Sequence, residues 1–199
     1  CAVTFSLCGR RVSIDYLFFA LLAFLLFWDR QHVVLPGLAA AICHEAGHIL
    51  AILVQKVPIR SVRITAFGID LVCRQRPRAA YWQDALLSLA GPLANLCCCV
   101  LCLIIHQQGS VFFQGNLLLA VFNLLPIESL DGGQCLYAVL CVFWDAGKAE
   151  RFVFLLSFFV LLPLACAGFW LLFQSRGNIS LLLATCYLAL FLLKDGRFL

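Results

Sequence analysis

Long apolar stretches separated by short polar turns dominate this chain. Val12–Trp28, Val33–Gln55, Ala79–His106, Val111–Pro126, Phe152–Phe173 and Ile179–Leu193 each read as a candidate membrane span. Asp29-Arg30-Gln31-His32, His106-Gln107-Gln108-Gly109-Ser110 and Gln174-Ser175-Arg176-Gly177-Asn178 are the polar turns between them. Tyr16 and Trp28 bracket the first stretch as interfacial anchors, and Pro36 falls near the first turn of the second, where proline is tolerated. Val57–Arg76 has a different pattern. Ile59, Val62, Ile64, Phe67, Ile69, Leu71 and Val72 partly alternate with Arg60, Arg63, Thr65, Asp70 and Arg74 around Gly68. That pattern predicts a β-hairpin or two short strands. Pro126 breaks the fourth stretch, and Gly133–Trp144 follows as a partial helix. The predicted fold is an all-α polytopic membrane protein with about six transmembrane helices and a membrane-associated β-hairpin, in a single domain over 1–199.

Composition supports the membrane assignment. Of 199 residues, 64% are hydrophobic and 12% charged. A soluble domain of this length is nearer half apolar, so the excess must face lipid. The first apolar stretch lacks a small-residue cleavage signature and reads as a retained span. Many of the 12 cysteines, Cys97, Cys98, Cys99 and Cys102 among them, lie in apolar runs. There cysteine packs as a small hydrophobe, and Cys99-x-x-Cys102 has no second pair at finger-like spacing.

The net charge is +4, and its distribution sets a topology. With six spans, 12 of the 14 basic residues fall on the side of the termini, and only Arg30 and Arg176 lie opposite. The positive-inside rule then places both termini in the cytoplasm. Basic residues spread along membrane boundaries do not form a nucleic-acid surface, so no nucleic-acid partner is expected.

The chemistry lies in the second stretch, at Cys43-His44-Glu45-Ala46-Gly47-His48. On a helix, His44 and His48 are four apart and project from one face, where two neutral imidazoles can share one Zn²⁺. Glu45 is placed to take a proton from the attacking water. Ionisable groups at membrane depth are costly, which makes them functional candidates. Catalytic zinc usually holds three protein ligands, and Asp131, followed by Gly132 and Gly133, is the best third. In the six-span topology the second and fourth stretches both run inward, so the histidines and Asp131 are expected at similar depth, towards the cytoplasmic side. His32 and His106 sit at span ends and read as structural. Glu128 reads as a loop carboxylate.

Read together, the His-Glu-x-x-His helix and Asn123-Leu124-Leu125-Pro126-Ile127-Glu128-Ser129-Leu130-Asp131-Gly132-Gly133 resemble the site-2 protease family of intramembrane zinc metalloproteases. The layout looks most like its sporulation factor IVFB branch, with neither a PDZ nor a CBS domain. Gly91-Pro92-x-x-Asn95 matches a further element of that family, near the metal. The usual Pro-x-x-Pro-Leu-Asp-Gly phrase is altered here, because Ser129 stands where the second proline would be. The resemblance implies one zinc per chain and substrate contacts by Asn123, Pro126 and Asn95. It implies an extended segment within Val57–Arg76 that pairs with the substrate. It implies cleavage of a membrane-associated sporulation sigma-factor precursor in a bacterial cell membrane, under an inhibitory membrane partner. The alternatives are a general site-2-type protease acting on signal-peptide remnants or anti-sigma factors, and a zinc-binding membrane protein without peptidase activity.

Overall fold

The computed structural model describes residues 2–7, 10–15, 23–24, 26–27, 29, 32–56, 59–65, 68–73, 81–174 and 180–195. Four strands, β1 (Ala2–Leu7), β2 (Arg10–Asp15), β3 (Ile59–Thr65) and β4 (Gly68–Cys73), form one sheet in the order β1-β2-β3-β4. The helices are α1 (Val34–Val54), α2 (Tyr81–Ile104), α3 (Val111–Asn123), α4 (Asp131–Phe143), α5 (Ala146–Gln174) and α6 (Ser180–Asp195). The chain divides into two compact units. One comprises Cys1–Ala79 with Ala90–Ala120, and the other Ala80–Leu89 with Val121–Leu199.

In the first unit, β3 and β4 pair antiparallel from Thr65↔Gly68 to Ile59↔Cys73, with a bulge between Ile59 and Ser61. These strands lie within the segment where a hairpin is expected. They are part of a larger sheet, because β2 runs parallel to β3 (Val12↔Val62, Ile14↔Ile64) and β1 pairs antiparallel to β2. A parallel pair needs a long crossover, and the chain between β2 and β3 includes α1. This corrects the expected first span. Val12–Asp15 belongs to strand β2, while Ala23, Phe24, Leu26 and Phe27 are helical and the remainder of that span lies outside the described residues. The physical reason is visible in retrospect: Val3, Phe5 and Leu7 alternate with Thr4 and Ser6, and Val12 and Ile14 alternate with Arg11, Ser13 and Asp15. That period of two specifies strand.

Among the described residues, three helices are long and apolar enough to cross a membrane: α1, α2 and α5, with 21, 24 and 29 residues. At 1.5 Å per residue they reach about 31, 36 and 43 Å, against a hydrocarbon core of about 30 Å. The other apolar helices are shorter: α3 has only 13 residues and stops at Asn123, before Pro126. Exposed Leu, Phe and Val side chains along α1, α2 and α5 are what a lipid-facing surface requires. The chain is therefore a membrane protein.

Local chemistry sets the helix ends. The Asp29 carboxylate accepts hydrogen bonds from the Val33 and Val34 amides at 2.9 and 3.0 Å, satisfying two donors at the start of α1. His106 ends α2 with a left-handed φ of 55°. Its amide bonds to Leu103 O, and Gln107 N bonds to Cys102 O at 2.7 Å. That pair is a Schellman cap, so the structural reading of His106 stands. Where α1 and α2 cross, Gly47 is too close for any side chain: a Cβ would meet Ala90 O and come within 2.7 Å of the Ala94 Cβ.

In the second unit, Ile127, Leu161, Leu188 and Leu192 form a buried cluster with Phe122, Leu125 and Leu130 packed against it. The turn after α3 is thereby fastened to α5 and α6. Gly168 lets these two helices approach, since a Cβ there would lie 3.2 Å from the Leu182 backbone. Among the described residues Cys99, Cys102 and Cys141 are buried, as expected of packing residues, whereas Cys97, Cys166 and Cys186 are exposed.

Candidate metal centre

The first unit gathers His44, His48, Gly91 and Asn95. His44 and His48 are one turn apart on α1, and their Nε2 atoms approach to 3.2 Å with the rings edge to face. His44 is buried, and Glu45 and His48 are half-buried.

The proton positions on His44 follow from the hydrogen-bond network. Asn95, wholly buried on α2, donates from Nδ2 to Ala40 O at 3.0 Å and to Asn116 Oδ1 at 2.8 Å. Asn116, wholly buried on α3, donates from Nδ2 to Phe112 O at 2.8 Å. Backbone carbonyls only accept, so Ala40 and Phe112 fix the orientation of both amides. Asn95 therefore turns its Oδ1 to His44, 2.6 Å from Nδ1. Nδ1 must carry the proton, which leaves Nε2 as the lone-pair nitrogen facing His48.

This arrangement fits a zinc ion. Two nitrogens bound to one tetrahedral ion at 2.0–2.1 Å lie about 3.3 Å apart, close to the observed separation. A hydrogen bond from each ligating imidazole to an outer partner is the usual companion of such a site. Gly91 supplies the space. A Cβ there would collide with His48 Nε2 and stand 2.7 Å from His44 Nε2, the place an ion shared by the two rings would fill.

The second unit holds Asn123, Pro126 and Asp131. Asn123 is the last residue of α3, Pro126 lies in the turn, and Asp131 opens α4; all three are half-buried. The turn folds tightly onto the start of α4. A Cβ on Gly132 would strike Leu124 O, and one on Gly133 would strike Ile127 O. No side chain fits at either position, so Asp131 is followed by two obligatory glycines.

Sequence reasoning placed Asn95 among substrate contacts. In the structure Asn95 has no exposed surface, and its amide is engaged by His44, Ala40 and Asn116. Its place is behind the histidine. Asn116, a polar residue within the apolar run Val111–Pro126, is assigned no role by the sequence analysis. Its signal was the cost of an amide in lipid-facing sequence. The use of Asp29 as a helix cap was also missed.

No protein-family profile matches the chain. A Synechocystis protein named as a zinc metalloprotease is 30% identical over 112 residues, covering 51% of this chain and 29% of that protein. Stage IV sporulation protein FB of Bacillus subtilis is 27% identical over 167 residues, covering 80% and 57%. The chain thus spans less than two thirds of the length of either relative. The solved site-2 protease from Methanocaldococcus jannaschii shares the fold, with a TM-score of 0.68 at 19% identity over 100% of this chain and 97% of that one. In sequence the chain is thus similar to one protein named as a zinc metalloprotease and to one sporulation protein, and it shares the fold of a solved site-2 protease.

Proposed function

We propose that the chain is an intramembrane zinc endopeptidase that hydrolyses a peptide bond of a membrane-associated regulatory protein. The observation that carries this reading is the imidazole pair, with its Nε2 atoms 3.2 Å apart, its proton placement set by Asn95, and Gly91 leaving room beside it. His44, His48 and Asp131 would hold one zinc. When bound, zinc acidifies water towards neutrality and polarises a peptide carbonyl.

The chain's own groups do the remaining work. Glu45, next to His44 and half-buried, takes the proton of the attacking water and returns it to the leaving amine. Asn95 and Asn116 hold the His44 ring in one tautomer. Asn123 and Pro126 flank the extended substrate. β4 is an edge of the sheet, and an edge strand can hold an unwound peptide by strand addition. Unwinding is required because a helical backbone hides its carbonyls.

The motif resemblance to the sporulation branch, beside the similarity to a sporulation protein, directs the substrate proposal to a membrane-associated sigma-factor precursor, with an inhibitory membrane protein as regulator. The excess of basic residues on the side of the termini directs the topology proposal to a single domain with both termini and the active site towards the cytoplasm. The test is cleavage of such a precursor in liposomes holding the purified chain. Cleavage by wild type and none by Glu45→Gln supports the reading; equal turnover by both ends it.

A further inference from the structure

We propose that Ser157, in the interior of α5, is a positioning residue for the zinc ligand Asp131. The inference rests on the zinc-protease reading above and extends it to a helix to which the sequence analysis assigns no chemistry.

Ser157 is wholly buried. Its hydroxyl donates to Val153 O at 2.7 Å, one turn back on the same helix, and accepts from the Glu128 amide at 2.8 Å. The first bond alone is ordinary for a serine in a helix. It also aims the oxygen lone pairs, and the Glu128 amide meets one of them. Glu128 lies in the turn between α3 and α4, three residues before Asp131. Pro126 has no amide to donate, and Ile127 N bonds within the turn to Leu125 O. The Glu128 bond to Ser157 is thus a tie from this turn's backbone to another helix.

Two contacts convert that tie into a position for Asp131. Leu130 N bonds to Ile127 O at 2.8 Å, and Gln134 N to Leu130 O at 3.0 Å, which couples the turn to the first turn of α4. Gly133 lies against the same peptide, since a Cβ there would reach Ile127 O and come within 2.7 Å of Glu128 N. The peptide joining Ile127 to Glu128 is therefore held by Ser157 on one side and packed against the start of α4 on the other. A shift of the Glu128 amide must move α4's first residue, which is Asp131. Ile127, buried among Leu161, Leu188 and Leu192, anchors the turn by packing, and the backbone hydrogen bonds given for it stay within the turn.

The experiment compares Ser157→Ala, Ser157→Thr and Leu161→Ala with wild type, all purified with zinc. Zinc affinity is read by chelator competition, and exchange of the Glu128 amide by hydrogen–deuterium exchange. Ser157→Ala should weaken zinc about tenfold or more and speed Glu128 exchange, the size expected when a partner behind a metal ligand is lost. Ser157→Thr keeps the hydroxyl and should restore both. Leu161→Ala removes packing from the same cluster and should lower thermal stability while leaving zinc affinity within about twofold. Unchanged zinc affinity in Ser157→Ala, or an equal loss in Leu161→Ala, overturns the proposal. Wild-type protein that binds no zinc overturns the zinc reading itself, a result distinct from wild type that binds zinc equally well with or without the hydroxyl.

Discussion

His44 Nδ1 and Asn95 Oδ1 are 2.6 Å apart, and both side chains are buried. This contact decides which nitrogen of His44 can accept an ion. Replacing Asn95 with Ala should reduce zinc affinity by about 10- to 100-fold. Asn116→Ala should lose less, because Ala40 O still orients the Asn95 amide. Chelator competition on the two purified variants measures both effects, and an Asn116 loss as large as that of Asn95 would contradict the relay.

Glu45 is a proton carrier in the proposed mechanism and not a ligand. Glu45→Gln should keep one zinc per chain and lose about 10²-fold or more in cleavage rate. Metal analysis beside single-turnover cleavage separates the two properties.

Gly91 faces the imidazole pair with no room for a methyl group. Gly91→Ala should fold, since alanine suits a helix better than glycine. It should nevertheless hold far less zinc than wild type. Circular dichroism reports the fold and metal analysis the loss; a fully loaded Gly91→Ala protein would show that the space beside the rings is not the metal's.

Asp131 is tested by stoichiometry. Wild type should carry one zinc, and Asp131→Ala should lose most of it at chelator concentrations that leave wild type loaded. Removal of zinc should abolish cleavage, and re-addition should restore it in wild type alone.

Asp29 caps α1, the helix that carries both histidines. Asp29→Ala should destabilise the start of that helix by about 0.5–2 kcal/mol. Hydrogen exchange at Val33 to Gly37 should quicken, with the His44 environment unchanged two turns further on.

How much of this was legible beforehand varies by element. The apolar runs announced α1, α2 and α5 because lipid-facing helices need long uninterrupted hydrophobic sequence. The four-residue spacing of His44 and His48 announced the imidazole pair, since helical geometry alone sets it. The short strands β1 and β2 were hidden, although Val3, Phe5, Val12 and Ile14 alternate. An apolar run beginning at Val12 overrode that weaker signal, and the parallel pairing of β2 with β3 joins segments more than 40 residues apart (Arg11↔Ser61 to Ile14↔Ile64).

The sequence by itself determined the membrane class, the helix bearing the histidines and the residue types able to hold zinc. These depend on composition and on spacing within one element. Only the tertiary structure decided the tautomer of His44, the burial of Asn95 behind it, and the tie from Ser157 to Glu128. Asn95 and His44 are 51 positions apart, and Glu128 and Ser157 are 29 apart. Hydrogen bonds over such separations depend on which helices pack together, which no local pattern encodes.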